Sequence, residues 1–338
     1  MKNDMPMMSD FIDYRAKEHR RAGFVKYFMW EVVFNDVDTA TWLCNYINNA
    51  LEYDTEKRFW FAWLYGTTYH AAAAWVILNA FPNFHEININ EMIQWNSENY
   101  RRLRYQTDTK YNKGFLPPMY ASYKRFIGDG TQQKMFESLY ADNEEKTFNI
   151  IWTAVNMNIH KFGRMMTWIY LQQLKHTCAV PLEPTSMFLR DYGGSRHHRN
   201  GLLLALGMED LIDKRLSEKQ YAALEYEAQK IIHETRERFP AHAYKADLFC
   251  LESALCGYKK MWRANDSRYF GYALDRQAEE ITQVQNDGWS GIDWSLLWRA
   301  REDVIDARLT PNKVILKDRF TWFVNHGYMG REEWLQDK

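Results

Sequence analysis

Apolar residues recur every three or four positions through most of the chain and nowhere alternate convincingly with polar ones. That periodicity predicts helices and no sheet. The first helix is expected over 9–34, where Ser9 suits an N-cap and Phe11, Tyr14, Phe24, Tyr27 and Phe28 keep mixed three- and four-residue spacing. A second is expected over 36–51, capped by Asn35 or Asp36, and a third over 55–80, stopped at Phe81-Pro82. A shorter helix follows over 88–98 and a long one over 147–177. Pro181 and Pro184 break the pattern, which resumes over 201–212, 217–238, 244–264 and 267–285 and ends in a Trp-rich helical tail over 289–338. The fold class is therefore all-α. The proline break predicts an N-terminal helical lobe over 1–182 and a C-terminal one over 183–338, separate or integrated as one domain.

Composition supports long elements. The 338 residues include only 16 Gly and 8 Pro, so tight turns are few. Aromatics make up 16% with 14 Trp, more than a plain bundle needs, so some are expected on recognition surfaces. Net charge is -1, so any nucleic-acid surface must be a local basic patch. Four cysteines without a C-x-x-C pair fit reduced thiols in a cytoplasm. The residues after Met1 carry no apolar run, and the most apolar stretch, 59–80, is interrupted by Thr67, Thr68 and His70, so neither a signal peptide nor a membrane span is predicted.

Several chemistries lack their motifs. There is no G-x-x-x-x-G-K-[ST], no G-x-G-x-x-G and no G-x-S-x-G. No His stands at zinc spacing from another His, no Glu-x-x-His is present, and adjacent His197 and His198 would face different sides of a helix, so no metal ligands are assigned.

Four segments could carry chemistry. Residues 58–75 surround Thr67 and Thr68 with rings, and Trp63, Tyr65, Tyr69 and His70 are candidates to line a pocket for a flat ring; the plainer reading is a buried core helix. Residues 100–114 interleave Arg101, Arg102, Arg104, Lys110 and Lys113 with Tyr100, Tyr105 and Tyr111, a composition that tracks phosphates and stacks bases, or else a solvated loop. Asp108 inside that run is a candidate base, or else a local salt-bridge partner or an N-cap. Residues 190–201 run from Arg190 through Gly193 and Gly194 into Arg196, His197, Arg199 and Asn200 and then a helix, which suits a phosphate or pyrophosphate; a flexible basic loop is the alternative. In 251–260, Glu252 and Lys259 share a helix face, and Arg268, Asp275 and Arg276 follow; salt bridges would explain both.

Together, F-W-F-A-W-L-Y-G-T-T-Y-H (59–70), R-Y-Q-T-D-T-K-Y-N-K-G (104–114), S-R-H-H-R-N-G-L (195–202), L-E-S-A-L-C-G-Y-K-K (251–260) and R-Y-F-G-Y-A-L-D-R (268–276) resemble the phage amino acid:DNA transferases, also described as α-glutamyl/putrescinyl-thymine pyrophosphorylases. These are related to the helical domain of 5-hydroxymethyluracil DNA kinases. The resemblance runs from about residue 25 to 280. It implies a two-lobed all-α fold like that of helix-hairpin-helix DNA glycosylases. It also implies thymidine hypermodification in an infected bacterial cytoplasm, after such a kinase has made a pyrophosphate ester of 5-hydroxymethyluracil in DNA. The transferase then puts an amino acid or polyamine amine in place of the pyrophosphate. A flipped base would be lined by Trp63, Tyr65 and Tyr69, and the leaving group held by Arg196, Arg199 and the turn at Gly194. Arg102, Lys110, Lys113, Arg190, His197, Asn200 and Arg276 are further candidates for phosphates. Asp108, His70 and Glu252, in that order, are candidates to take the amine proton, and Arg104 or Lys259 could hold an amino-acid carboxylate. No organic cofactor is expected; a divalent ion could bind through the pyrophosphate oxygens. The rival readings are a helical DNA glycosylase, a non-catalytic module that recognises modified DNA, and a plain interaction protein.

Overall fold

The computed structural model describes residues 14–262, 268 and 270–306, and among these every regular element is helical. The expected start of the first helix at Ser9 and the tail beyond 306 lie outside the described residues. The described residues fall into two units, each of discontiguous segments: one drawn from within 1–38, 186–275 and 306–338, the other from 39–185 and 276–305.

The first unit is built on α1 (Arg20–Val33), α10 (Arg196–Ala205), α11 (Glu218–Arg238) and α12 (Leu248–Met261). Phe24 meets Tyr258 edge-on at 5.1 Å, and Trp30 stacks on Phe270 at 5.2 Å. The Asp36 carboxylate accepts from the backbone N–H groups of Gly271, Ala273 and Leu274 and from Trp30 Nε1. An acid at that place satisfies the otherwise unpaired amides that open α13 (Tyr272–Asn286). Ser217 and Gln220 start α11 with a capping box, and Asp247 caps α12 by accepting from Cys250 N at 3.0 Å.

The second unit holds α2 (Thr39–Ala50), α3 (Thr55–Thr68), α4 (Ala71–Ala80), α5 (Ile89–Asn99), α6 (Leu116–Ile127), α7 (Gln132–Glu137), α8 (Glu144–Asn158), α9 (Arg164–Cys178) and α14 (Trp294–Val304). Its centre is α3 against α9. Gly66 makes that approach feasible, since a Cβ there would stand 2.8 Å from Tyr170 Cβ.

Two expected helices are each two. The run 55–80 breaks at Tyr69, which takes a left-handed conformation (φ 49°), and His70 then caps α4, its Nδ1 accepting from Ala73 N at 3.4 Å. The run 147–177 breaks over Ile159–Gly163, where Lys161 has φ 66°. Apolar periodicity carries straight through both breaks, so it could not reveal them. The segment after the Gly193-Gly194 turn is helical from Arg196, five residues earlier than the pattern at 201 suggested, because its polar first turn hides the start.

Candidate functional site

In the first unit the chemistry gathers where α10 crosses α12. Gly201 permits the crossing: a Cβ there would lie 2.3 Å from the Leu255 carbonyl oxygen. One turn earlier on α10, the buried His198 imidazole reaches Glu252 of α12, Nδ1 to Oε1 at 2.8 Å, while its Nε2 lies 3.0 Å from the Met187 carbonyl. Both ring nitrogens thus face oxygen, so Nε2 donates to the carbonyl and one proton lies between Nδ1 and the carboxylate. His197, on the exposed side, accepts from Lys259 Nζ at 3.0 Å.

Arg199 follows and is fully buried. Its Nη1 donates to Tyr192 O at 3.2 Å and Ser195 Oγ at 3.1 Å, and the Tyr192 ring lies 4.5 Å from the guanidinium centre. Nε and Nη2 have no partner, and no carboxylate pairs with it among the described residues. A buried cation held only by neutral groups is several kcal/mol less stable than a solvated one, roughly, until an anion joins it.

The other basic residues expected to hold pyrophosphate in this unit are already engaged. Arg196 donates to Asp213 from Nε at 2.8 Å and Nη2 at 3.2 Å, and Asn200 donates to the same carboxylate at 2.8 Å. These two donors hold the Asp213 carboxyl down at about 2. Arg190 pairs with Glu218 at 3.0 Å and Glu225 at 2.5 Å. The Gly194 N–H, expected to cradle an anion, donates to Asp191 Oδ1 at 3.0 Å, so the protein's own acid occupies that turn. The local charge that looked available in sequence is thus largely neutralised by side chains 17–35 positions away, and the turn's amide is taken by Asp191 beside it.

In the second unit the aromatic run 59–65 is core. Trp63 is fully buried, stacked on Trp60 at 5.1 Å and on Tyr123 at 5.0 Å, so no ring face is left for a base and its expected pocket role is corrected. Tyr65 is buried with Tyr69 edge-on at 5.9 Å. His70, 3% exposed, is pushed below its ordinary range by burial, against the opposing pull of Glu280 4.0 Å away. With Nδ1 committed to the cap, its neutral form carries the proton on Nε2 and is a poor base there. Gln106 bridges Glu280 and Arg276, and Arg276 Nε also donates to Glu280 at 2.7 Å. Arg104 donates to both oxygens of Asp287, at 2.5 and 2.8 Å, which fills the fork expected to hold an amino-acid carboxylate.

The rest of the basic segment behaves differently. Residues 107–115 form a 3-10 run on which Tyr111 is 70% and Phe115 41% exposed. Lys110 lies over Tyr111 at 4.9 Å, Lys161 over Phe115 at 4.5 Å, and Arg102 over Trp289 at 3.8 Å. Arg101, Arg102, Lys110 and Lys113 form no ion pair among the described residues. Asp108 is exposed on this surface and likewise unpaired with a cation. The result is an outward cationic surface with rings available for stacking.

Cys256, Phe115 and Lys161 carry no assigned role in the sequence, and His198 is set aside there as a ligand because it adjoins His197. Glu252 and Cys256 are four apart on one helix, a usable signal, but their third neighbour comes from α10. Asp213 and Asp287, which neutralise Arg196 and Arg104, carried no local signal, whereas Glu280 stands one helical turn after Arg276, a spacing legible in sequence.

No solved structure matches the chain. Over 260 residues it is 25% identical to the serinyltransferase of Salmonella phage ViI, an alignment covering 73% of this chain and 63% of that protein. The chain thus spans less than two-thirds of that relative's length. Residues 27–267, which include the α10–α12 crossing, the aromatic core run and the cationic surface, match the amino acid:DNA transferase family, and the chain belongs to that family.

Proposed function

We propose that the protein transfers the amine of an amino acid to a pyrophosphorylated 5-hydroxymethyluracil in phage DNA. The amine nitrogen attacks the 5-methylene carbon, the carbon–oxygen bond to pyrophosphate breaks, pyrophosphate leaves, and the amine proton passes to a base. The observation that carries this reading is the family match over 27–267. Serine is the first amine to try, because the phage ViI relative is named a serinyltransferase.

Two features support it. The exposed cations and rings of 100–115 suit a nucleic-acid strand, with charge for phosphates and rings for unstacked bases. Arg199, buried with unused donors, suits a pyrophosphate that gains charge as it departs. Of the three candidate bases, His70 has its Nδ1 committed to a helix cap and Glu252 is engaged by His198, which leaves Asp108 as the first choice.

The test is to incubate the protein with DNA carrying 5-pyrophosphomethyluracil and serine, glycine, glutamate or putrescine, then read nucleoside masses and released pyrophosphate. An amine-adducted thymidine with stoichiometric pyrophosphate is expected. DNA that is bound but unchanged with every amine would overturn the transferase reading in favour of a recognition module. Asp108→Asn should abolish transfer and spare DNA binding; unchanged turnover removes Asp108 from the role of base.

A further inference from the structure

The α10–α12 crossing brings together three donors that no sequence motif joins. His198 Nδ1, a Glu252 carboxylate oxygen and Cys256 Sγ all lie within 4.8 Å of one another. Their surroundings fit a site rather than a chance meeting. His198 is 1% exposed, and its Nε2 donates to the Met187 carbonyl, which fixes the ring and turns Nδ1 toward the other two donors. A backbone carbonyl behind the far nitrogen is the usual support of a metal-binding imidazole. Glu252 and Cys256 stand one turn apart on one face of α12, and both are half-buried. Gly201 keeps α10 close enough for His198 to reach them. Lys259 sends its ammonium to His197 Nδ1, on the adjacent face.

We propose that His198, Glu252 and Cys256 bind one thiophilic divalent cation of the Zn2+ class. Binding deprotonates the Cys256 thiol and displaces the proton shared by His198 and Glu252, both protons going to solvent. Thiolate and carboxylate then supply two negative charges against the ion's two positive ones. Imidazole nitrogen and thiolate sulfur are the donors such ions prefer over Mg2+ or Ca2+, and three protein donors leave a fourth position for water or a substrate oxygen. The cation need not take part in transfer, so the site stands apart from the proposed reaction.

The test uses the full chain, freed of any histidine tag, stripped with chelator, and then titrated with Zn2+ or Co2+. One equivalent of Zn2+ retained through dialysis is expected. With Co2+, a thiolate-to-metal charge-transfer band and the intense d–d bands of four-coordinate cobalt should appear. Cys256→Ser should abolish the charge-transfer band, His198→Gln should reduce Zn2+ affinity at least ~10-fold, and Cys250→Ser should leave both unchanged. Absence of the band in the unaltered protein overturns the proposal, as does its persistence in Cys256→Ser. Where Cys256→Ser fails to fold, absence of the band from the unaltered chain still overturns the proposal.

Discussion

Gly201 of α10 lies against the main chain of α12, so that a Cβ at 201 would stand 2.3 Å from Leu255 O and 3.1 Å from Leu255 Cβ. Backbone cannot yield as a flexible side chain does. Gly201→Ala is expected to destabilise by about 1–3 kcal/mol despite the better helix propensity of alanine. Urea unfolding measures this. A neutral or stabilising result would mean that α10 and α12 are farther apart than described.

Arg199 separates stability from function. Arg199→Met keeps much of the side chain's bulk and removes a buried charge that has no carboxylate partner among the described residues. Stability should hold or rise, by up to ~4 kcal/mol, while pyrophosphate binding measured by calorimetry is lost. A large fall in melting temperature would instead show that the guanidinium is a structural strut held by Tyr192 and Ser195.

The cationic surface makes a quantitative prediction. Lys110→Ala with Lys113→Ala should lower the slope of log K against log salt by roughly 0.7 per lost phosphate contact on single strands. Tyr111→Ala should weaken single-strand binding by about 1–3 kcal/mol with little change in that slope, because stacking is not ionic. Fluorescence anisotropy at several salt concentrations distinguishes the two. Equal slopes in all variants would place the DNA elsewhere.

His70 should add an acid limb to the stability curve. Burial lowers its folded-state value below the ordinary 6.5. Above 6.5 neither state is charged, and the contribution is fully present. As pH falls below 6.5 the unfolded chain takes up the proton first, so stability declines until pH has passed through the lowered folded value. His70→Asn retains a capping side chain without a titrating one. Melting temperature against pH should then be flatter on the acid side than in the unaltered protein; identical curves would show that His70 does not titrate with folding.

The helices were legible because burying one face imposes a three-to-four residue rhythm wherever the chain is long enough to express it. The two unexpected breaks, at Tyr69 and at Ile159–Gly163, were not, because apolar residues continue across them. The aromatic run showed that rings would cluster, yet the same run reads alike as core or pocket. Stacking of Trp60, Trp63 and Tyr123 decided it as core. Charge was the least legible quantity. Arg104, Arg190, Arg196 and Arg276 read as a store of free cations, and each is matched by a carboxylate.

By itself the sequence determined the helical class, the family-bearing motifs and the cationic, aromatic character of 100–115, since all three are local: a rhythm, a string of residues, a composition. Only the tertiary structure decided that Arg199 is buried with unused donors, which rings remain exposed and that His198 meets Glu252 and Cys256. Those depend on pairings between residues distant in the chain. Ion pairs and ligand clusters act over a few ångströms, and packing alone sets which residues come that close.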